Sequence, residues 1–175
     1  MRGIKLVPLC FGSLSAIAFA LAAPITTAQE LHGHILCRAV GAFTPEQLGD
    51  REGHALSIGQ SSCQITEGPV AGAVQTETNM WEWDGPKATE HSGYGVARKP
   101  GATFAFQHTD GTLELTMTDG KPSGWTASGH GIVTLATGSW ASLNGKKYEW
   151  TAKGTGPNVF EATIRSSDTL RRSEG

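Results

Sequence analysis

The feature of this sequence that most constrains its fold is an alternation of apolar and polar residues with a period of two. In "ATFAFQH", Phe104, Phe106 and His108 would share one face of an extended strand, and in "TLELTM", Leu113, Leu115 and Met117 would do the same. Successive side chains of a strand point to opposite faces, whereas the apolar face of a helix needs spacings of three and four. The pattern therefore predicts half-buried β-strands.

Clusters of Gly, Pro, Asn and Asp separate the alternating segments at short intervals. Asp110-Gly111 joins the two runs above and is a typical two-residue hairpin turn, so residues 101–118 are predicted to form one hairpin. The other predicted strands are residues 32–40, 55–65, 70–83, 90–98, 124–136, 147–154 and 159–164. This rhythm is typical of an antiparallel sandwich or barrel.

One segment has the pattern of a helix. In "TPEQLG", Thr44 can act as the N-cap, Pro45 suits the first helical position, Gln47 completes a capping box and Gly49 can end the helix. One short helix is therefore predicted near residues 45–49.

Aromatic residues and glycines alternate near the end of the chain, in "TGSWASLNGKKYEWTAKGTG" (residues 137–156). Tyr148 and Trp150 share a strand face, and Gly129 and Gly131 share a face of the preceding strand. Glycines inside strands mark bends or the close approach of a bulky group, and a closed barrel needs such bends. We therefore expect large rings over bare backbone in a single antiparallel barrel of eight to nine strands.

Residues 136–156 also show a family resemblance. A strand ends in Thr-Gly, a short arch and an Asn-Gly turn follow, and an alternating strand leads to a Gly-rich exit. This order resembles the closing region of calycin-like barrels, in particular the allene-oxide-cyclase-like and dirigent-like proteins, which include exported bacterial members. The resemblance implies an eight-stranded antiparallel barrel whose central cavity holds or steers a hydrophobic molecule.

The first residues have the layout of a secretory signal peptide. Arg2 and Lys5 precede an apolar run at residues 6–23, which ends in small residues without a following basic cluster. We predict a cleaved signal peptide at 1–28, a barrel domain at 29–165 and a flexible polar tail at 166–175. A cut after Ala22 and a retained membrane anchor are the alternatives. The protein is expected to be periplasmic or secreted, with no membrane span after cleavage.

Three cysteines are present, and Cys10 lies within the predicted signal peptide. An exported chain that keeps Cys37 and Cys63 is expected to join them in one disulfide, which would add roughly 3 kcal/mol of stability in the chain-entropy model. The alternative is two unpaired buried thiols.

The net charge of the chain bears on which partners are expected. Without Arg2 and Lys5, 12 basic residues face 16 acidic ones, so the net charge is −4. A mildly acidic chain without a charge run favours neither nucleic acid nor an anionic membrane surface as a partner. The oligomeric state cannot be predicted.

No motif for a known chemistry stands out. The sequence contains no P-loop and no nucleophile elbow, so no catalytic residue and no cofactor are predicted. His32 and His34 could lie on one strand face, and His91, His108 and His130 could converge inside a barrel. Without a further ligand nearby in the sequence, no metal site is predicted.

The aromatic residues are the best candidates for a pocket lining, although a small barrel can also be packed solid. The predicted ligand-binding residues are Tyr94, Arg98, Phe104, Phe106, His108, Trp125, Tyr148 and Trp150. The leading hypothesis is a non-catalytic protein that binds a small hydrophobic molecule in the barrel. The alternatives are a cyclase- or isomerase-like enzyme using the same cavity, and a structural or interaction protein of the envelope with a solid barrel.

Overall fold

The computed structural model describes residues 30–41 and 43–167, which form nine β-strands and one short 3-10 turn. The strands are β1 (His32–Ala39), β2 (Glu46–Gln47), β3 (His54–Ile65), β4 (Val74–Asp84), β5 (Lys87–Lys99), β6 (Ala102–Thr118), β7 (Lys121–Gly138), β8 (Lys147–Gly156) and β9 (Val159–Ser166). The 3-10 turn, Ala141–Leu143, lies in the connection between β7 and β8.

Eight of these strands close into a single antiparallel barrel. From β3 to β9 each strand pairs with its successor, and β1 pairs with both β9 and β3, which completes the ring. The ninth strand, β2, pairs with β3 outside the ring. The predicted all-β antiparallel barrel is confirmed, and it is compatible with a calycin-like fold.

One end of the barrel is filled by apolar side chains. They come from the residue before β1, the end of β3, the second half of β7 and the connections that follow β3 and β7 at this end. The largest side chains here, each less than 2% exposed, are Leu31, Ile65, Val70, Val133, Trp140 and Leu143. Because such burial excludes water, this end is the closed floor of the barrel, and the opposite end holds the connections β1–β3, β4–β5, β6–β7 and β8–β9.

Glycines let the aromatic rings of β8 lie flat against β7, as expected. Tyr148 stands opposite Gly131 and Trp150 stands opposite Gly129 in the β7–β8 pairing. A Cβ at Gly131 would overlap the Tyr148 ring, and a Cβ at Gly129 would lie 2.8 Å from both Trp150 and the backbone of Gly111. Side chains at these two positions are therefore excluded by the packing.

Gly129→Ala is expected to lower the free energy of unfolding by about 1–3 kcal/mol, because the added methyl group meets backbone atoms that cannot move aside. Denaturant-induced unfolding followed by tryptophan fluorescence would measure the loss. Gly124→Ala, on the same strand, is the matched control, since its Cβ would meet nothing nearer than Thr116 at 3.8 Å. Equal losses in the two variants would contradict the packing argument.

The predicted helix near residues 45–49 is wrong. Glu46 and Gln47 form β2 and pair with Leu56 and Ala55 of β3. Because β1 pairs with β3 only from Ser61 to Ile65, the backbone at the start of β3 is not paired with β1. There β2 pairs with two residues of β3 instead. The segment also has no apolar face to bury, since residues 46–49 are all exposed.

The predicted hairpin turn at Asp110-Gly111 is also wrong, because both residues lie inside the continuous strand β6. Gly111 faces the interior, where a Cβ would come within 2.5 Å of the Glu90 carboxylate. Gly111 is therefore needed for the packing of the Glu90 side chain and does not form a turn. The chain turns at Asp119-Gly120, whose φ angles of 51° and 73° are those of a tight hairpin.

The disulfide between Cys37 and Cys63 is present. The two residues are direct partners in the β1–β3 pairing, with Cα atoms 4.0 Å apart, so the bond crosses the pairing that closes the barrel.

Some predictions fall outside the described residues. The signal peptide at 1–28 lies there, as do residues 168–175 of the predicted tail, whereas Ser166 is the last residue of β9. Within residues 30–41 and 43–167, no helix is long and apolar enough to cross a membrane.

Candidate functional site

The barrel is hollow above its apolar floor. The cavity has a volume of about 530 Å³ and is lined mainly by aromatic and aliphatic side chains. Half-buried apolar residues surround its mouth, at the end opposite the floor; they include Phe43, Leu115, Trp125 and Phe160. A concave, largely apolar space of this size is typical of small-molecule sites.

The structure brings six of the eight predicted lining residues together in this cavity; they are Phe104, Phe106, His108, Trp125, Tyr148 and Trp150. Their rings pack against one another: the His108 ring is stacked on Trp150 at 4.8 Å between centroids, and Phe106 meets Tyr148 edge-on at 6.3 Å. Alternation along β6 and β8 turns five of these rings inward, and Trp125 lies on β7.

The prediction that Tyr94 and Arg98 line the cavity is wrong. Both residues lie on the outer face, where Tyr94 is 55% exposed. The inward positions of β5 belong to Gly93, Gly95 and Ala97, and the ring of Phe106 occupies the space where a Gly95 side chain would lie. The small inward residues of β5 thus leave space for aromatic rings from β6, just as the glycines of β7 leave space for rings from β8.

A polar cluster that the sequence analysis missed lies beside the cavity and centres on Glu90. The Glu90 side chain is 1% exposed, and its Oε1 lies 3.0 Å from Nδ1 of His108. The side-chain amide of Asn79 donates a hydrogen bond of 2.5 Å to the same oxygen. Gly93 and Gly111 leave the space that the carboxylate fills.

An irregularity between β4 and β5 places Glu90 inside the barrel. Met80 pairs with Ser92 but Trp81 pairs with Glu90, so His91 is an extra residue in β5. This bulge lets both Glu90 and Gly93 face inward, although they are three positions apart. No local sequence signal marks the bulge, so the burial of Glu90 could not be read from a period of two.

Glu90 determines the protonation of His108. Burial alone would lower the pKa of His108, but the hydrogen bond and the negative charge of Glu90 outweigh burial and raise that pKa. Nδ1 of His108 is the atom that faces Glu90, whereas the ring itself lines the cavity. The imidazole is therefore held in one orientation at the cavity wall.

Tyr148 and Glu77 also belong to the polar part of the cavity wall. Burial, followed by the charges of Glu77 and Glu90, raises the pKa of Tyr148 well above its ordinary value, so the hydroxyl stays protonated. The carboxylate of Glu77 accepts a hydrogen bond of 2.8 Å from the amide of Gln75, which lies next to it on the inner face of β4.

His91 and His130 do not converge with His108 inside the barrel, and His54 instead shares the carboxylate of Glu82 with His91. Nε2 of His91 is hydrogen-bonded to Glu82, and Nδ1 of His130 lies 2.8 Å from Asp110, all on the outer face. His34 lies beside Glu161, also outside. Within the described part of the chain, no three His, Cys, Asp or Glu side chains are grouped so that they could hold a metal ion.

Comparison with protein-family models found no match, and comparison with curated proteins found no relative. The function of this chain is therefore inferred from the geometry of the cavity.

Proposed function

We propose that this protein is an exported small barrel that binds one small hydrophobic molecule in its interior without transforming it. The observation that carries the proposal is the cavity of about 530 Å³, lined mainly by aromatic and aliphatic side chains. Drug-sized ligands occupy sites of roughly 300–1,000 Å³ with this kind of lining. Export is proposed from the apolar run that follows Arg2 and Lys5.

The mouth supports the same function. The ring of Phe43, in the connection between β1 and β2, occupies the space over the bare backbone of Gly59. Phe43 and Trp125 are both half-buried and line the cavity, so a ligand entering at this end meets apolar rings. The apolar contacts would remain continuous from the mouth to the interior.

The relationship to allene-oxide-cyclase-like and dirigent-like proteins is part of this proposal. It is supported by the order of elements in residues 136–156 and by the closed eight-stranded barrel in which that segment lies.

Filling the cavity is expected to weaken binding. In Ala152→Phe, a ring would project from β8 into the cavity, and affinity for an apolar probe such as decanol should fall about tenfold or more. Thr151→Phe is the matched control, because Thr151 is the preceding residue on β8 and is exposed. Tryptophan fluorescence measures the affinity, and thermal unfolding shows whether both variants fold.

Native mass spectrometry of the protein purified from its own host provides a second test. A bound molecule should add mass to the wild type and to Thr151→Phe, but not to Ala152→Phe. If the wild type neither carries a molecule nor binds decanol, the proposal is wrong.

One observation favours the enzyme alternative as a second candidate. Glu90 and His108 form a carboxylate–imidazole pair, and the imidazole lines the cavity. Such a pair can move a proton to or from a bound molecule, as a cyclase or isomerase requires. The two functions differ in the fate of the ligand. An enzyme would convert the bound molecule into a product, and His108→Gln should prevent this conversion, whereas a binding protein would release the molecule unchanged.

The third alternative, an envelope protein with a solid barrel, requires a filled interior. The cavity counts against it.

A further inference from the structure

We propose that the molecule held in the barrel carries a protonated amine, which binds beside Glu77 while its apolar part extends toward the mouth. This inference rests on the proposed function and names the chemical class of the ligand. It follows from the charges, the hydrogen-bonding groups and the aromatic rings of the cavity wall.

The lining of the cavity carries a net negative charge. Neither lysine nor arginine is among the described residues that line it, and Glu77 is the lining carboxylate. Behind the lining, Glu90 faces His108, so that pair is neutral when the imidazole is protonated and has a charge of −1 when it is not. In both states Glu77 adds an uncompensated negative charge, and the interior favours a cation over an anion.

Glu77 is available to a ligand. Its Oε2 accepts a hydrogen bond from the neutral amide of Gln75, and no described lysine or arginine forms an ion pair with it within 4.0 Å. A carboxylate in an enclosed site forms its strongest hydrogen bonds with charged donors such as an ammonium group. A bound amine would therefore supply the counter-charge that the cavity lacks.

Tyr148 adds a second acceptor. This residue is only 3% exposed, and its hydroxyl has no hydrogen-bond partner among the described residues. The pKa of Tyr148 is raised first by burial and then by the charges of Glu77 and Glu90, which both act on this hydroxyl. A neutral hydroxyl retains lone pairs that can accept a hydrogen bond from an ammonium group.

Aromatic faces line the same space. Trp81 and Trp150 meet edge-on with centroids 6.5 Å apart, and both line the cavity together with Tyr148. A cation close to the face of such rings is stabilised by their quadrupoles, most strongly where water is excluded. An anion would meet the same faces unfavourably.

Three probes with the same ten-carbon chain test this inference: decylamine, decanol and decanoate, each used below its micelle-forming concentration. Tryptophan fluorescence of the purified wild-type protein at pH 7.5 measures each affinity. We expect decylamine to bind about tenfold more tightly than decanol, because a hydrogen bond to a charged group is stronger than one to a neutral group. Decanoate should bind most weakly.

Two variants locate the effect. Glu77→Gln keeps the size of the side chain and removes its charge, so the affinity for decylamine should fall about tenfold, to that of decanol. Glu114→Gln removes an outer-face carboxylate, whose side chain is 63% exposed, and should leave all three affinities unchanged.

The outcomes separate the two proposals. If decanol binds as tightly as decylamine, or decanoate more tightly, the ligand class is wrong while the binding function stands. The same holds if Glu77→Gln keeps the full preference for decylamine. If none of the three probes binds the wild type, the proposed function is wrong and the inference fails with it. The wild-type comparison decides between these outcomes even if Glu77→Gln does not fold.

Discussion

Replacing His108 with leucine is expected to lower the free energy of unfolding by about 3–5 kcal/mol at neutral pH, the cost of breaking one buried ion pair. Leucine would leave the Glu90 carboxylate in the interior, with the amide of Asn79 as its remaining side-chain donor among the described residues. The protein interior solvates an unpaired charge poorly, so the folded state should lose most of the stability that the interaction with the imidazole provided. Denaturant titration would measure the loss.

Two further variants control this experiment. His130→Leu removes a comparable contact on the surface, where the His130 and Asp110 side chains are 56% and 60% exposed, and should cost less than about 1 kcal/mol. The double variant Glu90→Gln/His108→Leu removes both charges, so it should recover most of the stability lost in His108→Leu. If His108→Leu costs no more than His130→Leu, the buried pair does not stabilise the fold.

The same pair should make stability depend on pH. The pKa of His108 lies above its ordinary value of 6.5, because the hydrogen bond and charge of Glu90 outweigh burial. A base whose pKa is raised on folding stabilises fully below its unfolded pKa, and that stability is lost as the pH rises through the folded pKa. The wild type should therefore lose stability relative to the double variant as the pH rises above about 6.5. A constant difference across this range would contradict the assignment.

Local alternation predicted the barrel and much of its lining. Phe104 and Phe106 face inward because each has a polar or small neighbour on either side, and this pattern needs no knowledge of other strands. The same reasoning failed for Tyr94, because in β5 the glycines face inward and the large ring faces out. Which of two alternating faces is buried depends on the neighbouring strand, here on the Phe106 ring that lies over Gly95.

The burial of Glu90 could not be predicted, since its partners are distant in sequence. Glu90 meets His108 18 positions later and Asn79 11 positions earlier, and a bulge is needed to turn it inward. Asp110-Gly111 was misread for a related reason. Its glycine resembles a turn signal, but it serves the packing of Glu90 from the adjacent strand. A rule based on neighbours in sequence does not contain this information.

Replacing Cys37 and Cys63 together with serine is expected to lower the free energy of unfolding by about 3 kcal/mol. The two residues are 26 positions apart, and their bond restricts the unfolded chain by closing that loop. The bond also lies at the shortest strand pairing of the barrel. Here β1 pairs with β3 only from Ile35 to Ala39, whereas β3 pairs with β4 from His54 to Gln64. Equilibrium unfolding of the two proteins would measure the difference.

The reduced wild type is the matched comparison for this variant. A thiol reductant should bring the wild type to the stability of Cys37→Ser/Cys63→Ser and leave that variant unchanged. Amide hydrogen exchange should then accelerate first in β1 and at Ser61–Ile65 of β3, since opening the barrel there breaks the fewest hydrogen bonds. If reduction costs less than about 1 kcal/mol and exchange accelerates evenly around the barrel, the pairing of β1 with β3 and β9 holds the ring closed without the disulfide.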